Sequence, residues 1–272
     1  MKEKKSITPK ILIGISVIFV LVMLVIPVIA VISYSLQHGI KGYIDAVSDH
    51  YTIKALKLTL LATIIAVVIN TLFGLFASWA ITRFKFRGKQ FLTTLIDIPF
   101  AISPVIAGLI FILTFGRIGW AYDFLQKYGI KVVFSVPGVV IATIFVTLPF
   151  ISREILPVLN SVGTDEEEAA ALMGASGFKI FRQITLPHIK WALLYGIVLC
   201  TARAMGEFGA VSVVSGHLRG KTNTLPLHVE ILYNDFKLTD AFAVSSILLI
   251  IAVIILVIRN IVEYKSEKAG EI

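Results

Sequence analysis

The sequence contains a single cysteine, Cys200, among its 272 residues. One cysteine excludes an intrachain disulfide and a cysteine-cluster metal site, and its position inside an apolar run predicts a buried, inert thiol. Charge is also scarce: Asp, Glu, Lys and Arg make up 15% of the residues, whereas a soluble domain carries about 25%. With 57% hydrophobic residues, the composition predicts a polytopic membrane protein.

Further absences exclude several classes of function. The net charge is +8, but the basic residues are dispersed between apolar runs, so no nucleic-acid surface is expected. The five histidines lack metal-ligand spacing, so no metal site is assigned. No nucleophile and base are paired as a membrane enzyme would require. No internal repeat and no flexible linker is visible, so we expect one helical bundle.

Long apolar runs predict six membrane-spanning helices and an all-α fold. The first run follows a basic N-terminal segment, 1–10, and exceeds the roughly 7–15 residues of a signal-peptide core, so we expect it to remain as a membrane anchor. Pro99 and Pro104 predict an irregular third span. The predicted spans are 11–36, 56–81, 91–115, 132–151, 191–214 and 241–258.

The distribution of basic residues predicts the orientation. Arg83, Lys85, Arg87 and Lys89 directly follow the second span, and short loops rich in Lys and Arg lie on the cytoplasmic side. Both termini and the polar segment 152–190 are then expected to be cytoplasmic.

The polar segment contains signals for two short helices. Thr164 and Glu167 have the spacing of a capping box at the start of the first helix. Gly174 suits the left-handed residue that ends such a helix. Ser176 is expected to cap the second helix and Pro187 to stop it.

Within this segment, residues 168–187, here called the EAA segment, resemble the EAA signature of ABC-importer membrane subunits. In that family the signature forms a cytoplasmic coupling loop that docks into a cleft on a separate ATPase. The resemblance implies the fold of a type I importer transmembrane domain. It also implies that this chain catalyses nothing and binds no cofactor, since ATP and Mg are held by two copies of the ATPase. The residues that carry the signature are Glu168, Ala169, Ala170, Gly174, Ile184, Leu186 and Pro187.

Three other stretches, 95–105, 203–216 and 220–227, resemble permeases of sulfate and molybdate importers, most of all the W-type subunits of sulfate/thiosulfate importers. The resemblance to importer subunits covers about residues 56–262. It implies a bacterial cytoplasmic-membrane location, a second permease subunit of the T type, and an extracytoplasmic sulfate/thiosulfate-binding protein. The residues alone leave open whether the substrate is sulfate, thiosulfate or molybdate, and whether the permease pair is a homodimer or a heterodimer.

Three charged residues in or near the predicted spans are candidate site residues. Arg203 and Glu207 are four residues apart, so they share a helix face and can form an ion pair. Each alone would cost about 2.5–3.5 kcal/mol in mid-membrane, so the pair either lines an oxyanion pathway or latches helices together. Asp97 either contacts the pathway or pairs with a nearby basic residue.

Arg219 and Lys221 lie in the outer loop between the fifth and sixth spans. They either attract a dianion or an acidic patch on a binding protein, or belong to a solvated loop.

An ion-coupled secondary anion transporter is the alternative class of protein. Such a transporter should have several intramembrane carboxylates or an inverted repeat. Only Asp97 and Glu207 are predicted carboxylates inside the spans, which favours the importer.

Overall fold

The computed structural model describes residues 8–269, and every regular element in that range is helical. Residues 1–7 of the predicted N-terminal segment 1–10 lie outside the described residues. Two π turns, Leu21–Val25 and Phe181–Thr185, interrupt long helices. The helices are α1 (Thr8–Val20), α2 (Ile26–Ser35), α3 (Gly39–Val47), α4 (His50–Arg83), α5 (Lys89–Ala101), α6 (Pro104–Phe115), α7 (Tyr122–Lys127), α8 (Val136–Thr147), α9 (Pro149–Val162), α10 (Asp165–Leu172), α11 (Gly177–Ile180), α12 (Leu186–Met205), α13 (Gly209–Ser215), α14 (Leu225–Asn234) and α15 (Leu238–Ala269).

Five helical units of the described chain are long and apolar enough to cross a membrane, or six if α5 and α6 count as one bent span. This architecture agrees with the predicted all-α bundle. Most units are longer than the apolar runs because their polar ends continue the helix beyond the hydrophobic stretch. The five units are Lys10–Ser35, His50–Arg83, Val136–Val162, Gly177–Met205 and Leu238–Ser266.

The third predicted span, 91–115, is not one continuous helix. α5 and α6 meet at an angle of 109°, and Ile102 between them has an extended backbone. Pro99 lies inside α5 without ending it, whereas Pro104 begins α6, where its missing N–H would have no helical partner anyway. The predicted irregularity is confirmed, and the break falls at residues 102–103.

The fifth predicted span, 191–214, is also not one continuous helix. The helical unit begins at Gly177 and ends at Met205, and α13 follows as a separate short helix. The residues of this second break, 206–208, include the charged Glu207, which was predicted to share a helix face with Arg203.

The two breaks lie next to each other in the folded bundle. A Cβ on Gly209 would lie 2.9 Å from Pro104 Cβ, and a Cβ on Gly108 would lie 2.7 Å from the Ala210 carbonyl oxygen. The small residues therefore let α6 and α13 approach closely. Non-helical backbone at membrane depth is tolerated where protein surrounds it, and each break provides part of the surroundings of the other.

The fourth predicted span, 132–151, extends much further, to Val162, although Pro149 lies inside it. Pro149 has no N–H, and the Leu148 N–H bonds the Phe145 carbonyl instead of that of Ile144. The Asn70 side-chain amide on α4 donates to the freed Ile144 carbonyl at 3.0 Å and to Thr147 Oγ1 at 2.8 Å. The buried Asn70 amide of α4 thus supplies the hydrogen bond that the Ile144 carbonyl lacks before Pro149.

Pro187 does not stop a helix, contrary to the prediction. The chain passes from α11 through the π turn into α12, and Pro187 is the second residue of α12. The Leu186 N–H bonds the Phe181 carbonyl five residues back, so the wider turn reorganises the hydrogen bonds just before the proline. The same order occurs in the first span, where the π turn Leu21–Val25 precedes Pro27. The predicted coupling loop, 152–190, is mostly helical. Its first part belongs to α9, and its last part runs through the π turn into α12.

The core lies between α4, α8, α9 and α12. Its largest apolar members near the EAA segment are fully buried: Ile151, Ile155, Leu159 and Ile189, with Cys200 beside them. The predicted burial of Cys200 is confirmed. The first span lies at the margin, with no buried residue in its most apolar window, and Tyr34 stacks on Phe242 of α15.

We expect Asn70→Leu to destabilise the protein by about 1–2 kcal/mol, because the Ile144 carbonyl loses its donor inside the bundle. The measurement is the thermal unfolding midpoint of the detergent-solubilised chain. Asn260→Leu, at an exposed position of α15, is the matched control. Equal midpoints for the two variants would contradict this role of Asn70.

Candidate functional site

The EAA segment and the residues preceding it form a helix–turn–helix at one end of the bundle. α10 ends at a turn in which the Ala175 N–H bonds the Ala170 carbonyl at 3.0 Å. Gly174 in this turn has φ +83°, so its predicted left-handed conformation is confirmed. A side chain at position 174 would strain the backbone even though the space around it is open. The tight turn places α11 directly after α10 and leads the chain back towards α12.

The predicted capping box does not form. Thr164 precedes α10 but makes no side-chain cap, and its hydroxyl donates to Glu168 Oε1 at 2.7 Å. The Glu167 carboxylate is instead 2.9 Å from Nε of Arg83, because contact between two charged groups is stronger than a bond to a neutral backbone amide. Ser176 has the predicted position before α11 but its side chain also makes no cap.

The residues of the EAA signature divide between an outer and an inner set. Glu168, Ala169, Gly174 and Pro187 are exposed. Ala170 is buried against the bundle, and Ile184 and Leu186 are half-buried, with Leu186 packed on the core. The signature therefore forms both a surface and the attachment of that surface to the bundle.

Large apolar side chains protrude from the same surface. Leu172 is 90% exposed, Met173 82% and Phe178 74%. Phe181, three residues after Phe178, packs edge-on against Trp79 of α4, with 5.6 Å between ring centroids. Exposed apolar groups of this size around a polar helix are typical of an interaction surface.

Several residues that attach α10 were not singled out as site residues in the sequence. Thr185 donates to Glu167 Oε1 at 2.8 Å, and Glu166 Oε2 lies 2.8 Å from His188 Nε2. Arg83 was interpreted only as a marker of orientation, yet it contacts Glu167. The one available signal was its place at the end of the second span, where a long basic side chain can reach a neighbouring helix end.

Arg203 and Glu207 form the predicted ion pair, with 2.6 Å between Arg203 Nη1 and Glu207 Oε2. The Glu207 side chain is buried, and its other oxygen accepts from the Ala210 N–H at 2.8 Å. Glu207 lies in the break after α12, so its carboxylate joins the end of that helix to the start of α13. About a third of the Arg203 side chain is exposed.

Asp97 pairs with Arg153 of α9, with 3.0 Å between Oδ1 and Nε. The Arg153 guanidinium also lies 4.4 Å from the centroid of the Phe100 ring. This partly exposed cluster connects α5 to α9 beside the helix break at residues 102–103.

Arg219 in the loop before α14 forms an ion pair with Asp235, whereas Lys221 is exposed. After this loop, α14 is joined to α4 by a contact of 3.2 Å between His228 Nε2 and Thr52 Oγ1. Burial lowers the pKa of His228, so the imidazole is neutral at pH 7.

Among the described residues, no three His, Cys, Asp or Glu side chains are grouped so as to hold a metal ion.

Curated relatives match the chain over most of its length. The sulfate transport system permease protein CysW of Synechococcus elongatus is 46% identical over 272 residues, covering 100% of this chain and 95% of the relative. The CysW protein of Escherichia coli K12 is 44% identical, covering 94% and 88%. The sulfate transport system permease protein CysT of Salmonella typhimurium is 35% identical, covering 89% and 88%.

A bacterial alginate ABC transporter, solved in complex with an alginate-bound periplasmic protein, has a chain with the same fold. Its TM-score is 0.79 at 18% identity, covering 99% of this chain and 98% of that one. The sequence profile of binding-protein-dependent transport system inner membrane components matches residues 70–268. The chain therefore belongs to this family of inner membrane transport components.

Proposed function

We propose that this chain is a permease subunit of an ATP-driven importer of sulfate and thiosulfate. The observation that carries the proposal is the identity of 44–46% to CysW proteins over nearly the whole chain. As an inner membrane component, the chain is a transport subunit and not an enzyme, and ATP is hydrolysed on a separate subunit. A molybdate-type permease is the alternative within the same architecture.

The surface of α10 and α11 is the proposed docking site for the ATPase. Glu168 supplies a charged contact, while Leu172, Met173 and Phe178 supply apolar side chains for a cleft. Two ATPase copies, which hold ATP and Mg, would bind this subunit and its partner permease. This chain itself would bind no cofactor.

The remaining partners follow from the same proposal. A related T-type chain would be the second permease subunit, in line with the likeness to a CysT protein, and an extracytoplasmic binding protein would deliver the anion. Both termini and α10 would face the cytoplasm, because Arg83, Lys85, Arg87 and Lys89 lie at that end of the bundle. Arg219 and Lys221 would then lie on the outer face, within reach of the binding protein, and membrane lipid would cover the exposed apolar helices.

Arg203 and Glu207 are better explained as a latch than as the pathway lining. Glu207 is ion-paired with Arg203 and accepts from the Ala210 N–H, so its charge supports the break between α12 and α13. The two carboxylates predicted within the spans do not support a secondary transporter. Asp97 is also ion-paired, so neither carboxylate is an isolated proton carrier.

Uptake of radiolabelled sulfate tests the substrate. In cells that lack this chain and regain it from a plasmid, we expect uptake to return, to be blocked by excess thiosulfate, and to be nearly unaffected by molybdate. Inhibition by traces of molybdate would assign the chain to a molybdate-type system. Failure to restore any uptake, with the ATPase and the binding protein present, would contradict the sulfate assignment.

Substitutions at the EAA surface test the docking proposal. Glu168→Ala and Gly174→Val should each reduce co-purification of the ATPase and sulfate uptake. The first removes an exposed charge, and the second strains the turn by about 1–2 kcal/mol. Asp165→Ala, an exposed acid on the same helix, is the matched control. If both variants bind the ATPase and transport like the control, the docking surface lies elsewhere.

A further inference from the structure

Four residues from four elements meet behind α10, and we call this contact the Arg83 junction: Arg83, Leu159, Glu167 and Thr185. Arg83 is the last residue of α4, and its side chain is only 9% exposed. Its Nε lies 2.9 Å from Glu167 Oε2, while its Nη1 donates to the Leu159 carbonyl at 3.0 Å. One guanidinium thus connects the end of α4 to both α9 and α10.

The Glu167 carboxylate extends the junction to a third membrane helix. Its side chain is 15% exposed, and Oε1 accepts from the hydroxyl of Thr185 at 2.8 Å. Thr185 is 1% exposed and is the last residue of the π turn that leads into α12. α10 is therefore tied to the ends of α4, α9 and α12 through a single acidic side chain and its partner.

The two charges of the junction lie where the helix dipoles favour them: the cation at the end of α9 and the anion at the start of α10. Leu159 lies in the last turn of α9, where carbonyl groups have no helical donor and the dipole is negative, so a cation is favoured there. Glu167 lies in the first turn of α10, where an anion is favoured. Because both side chains are largely shielded from water, solvent screens this ion pair less than it screens a surface ion pair.

The neighbouring acid, Glu168, has a different environment. It is exposed, and its carboxylate accepts from Thr164 of the same helical turn. Consecutive acidic residues therefore face different directions: Glu168 faces outward on the proposed docking surface, and Glu167 faces the bundle. The sequence pattern of four acids in one turn does not distinguish them.

We propose that the Arg83 junction is the mechanical joint that passes displacement of α10 to α4, α9 and α12. Arg83 and Glu167 are positioning residues and contact neither substrate nor ATP. The proposal rests on the proposed docking of the ATPase at α10. Coupling between distant sites needs contiguous contacts with rigid elements, and the junction connects the docking helix to three long helices at their ends.

The test uses the assembled importer, in which this chain is combined with its partner permease and ATPase in proteoliposomes. Glu167→Gln keeps an acceptor for Thr185 but removes the ion pair. The double variant Arg83→Met/Glu167→Met removes both charges, so no buried charge remains unpaired. Arg87→Met and Asp165→Asn, exposed in the adjoining turn and on α10, are the controls. Complex yield, basal ATP hydrolysis, its stimulation by sulfate-loaded binding protein, and sulfate uptake are measured for each.

We expect both junction variants to assemble with normal basal hydrolysis, while stimulation and uptake fall by at least about five-fold. Arg83→Lys, which keeps the charge, should recover part of the stimulation. Stimulation equal to that of the controls would overturn the proposal. Loss of assembly in Glu167→Gln and the double variant alike would also overturn it, because the junction would then serve folding alone. If the wild-type complex fails to bind the ATPase or to transport sulfate, the proposed function itself fails, which separates the two conclusions.

Discussion

Lipid offers no hydrogen-bond partner, so backbone groups freed where a helix breaks inside this bundle need protein or water as partners. Asn70 on α4 bonds the Ile144 carbonyl that Pro149 leaves free. Glu207 bonds the Ala210 N–H where α12 gives way to α13. The breaks at residues 102–103 and 206–208 pack against each other through Pro104 and Gly209. Asn70 and Glu207 are explained by these backbone contacts more directly than by contact with a substrate.

At the end of the bundle that carries α10, charge has a different role. There the acids of the first turn are shared between two faces, with Glu167 directed to Arg83 and Glu168 directed outward. The side chains of the inner face are polar but largely shielded from water. The outer face presents Leu172 and Met173 almost fully exposed. A helix that is rigidly attached on one side and apolar on the other is suited to carry a force from a partner into the bundle.

Hydropathy predicted long apolar helices close to where the structure has them, because an apolar run of about 20 residues matches the thickness of the hydrocarbon core. It did not predict that α12 ends at Met205, because Arg203 and Glu207 were expected to form an ion pair along one continuous helix. Pro187 was expected to end a helix because proline has no N–H to donate to the preceding turn. The π turn just before it changes the hydrogen bonds so that the helix continues. The capping box at Thr164 and Glu167 failed for a related reason. Arg83, a partner distant in sequence, attracts the glutamate more strongly than the adjacent backbone does.

The most direct test of the central claim is sulfate uptake by proteoliposomes that contain the permease pair, with ATP and an ion gradient supplied separately. The account predicts that uptake requires ATP, the ATPase and the binding protein together, and that dissipating proton and sodium gradients leaves it unchanged. Sulfate accumulation driven by an ion gradient without the ATPase would contradict the account and identify a secondary transporter.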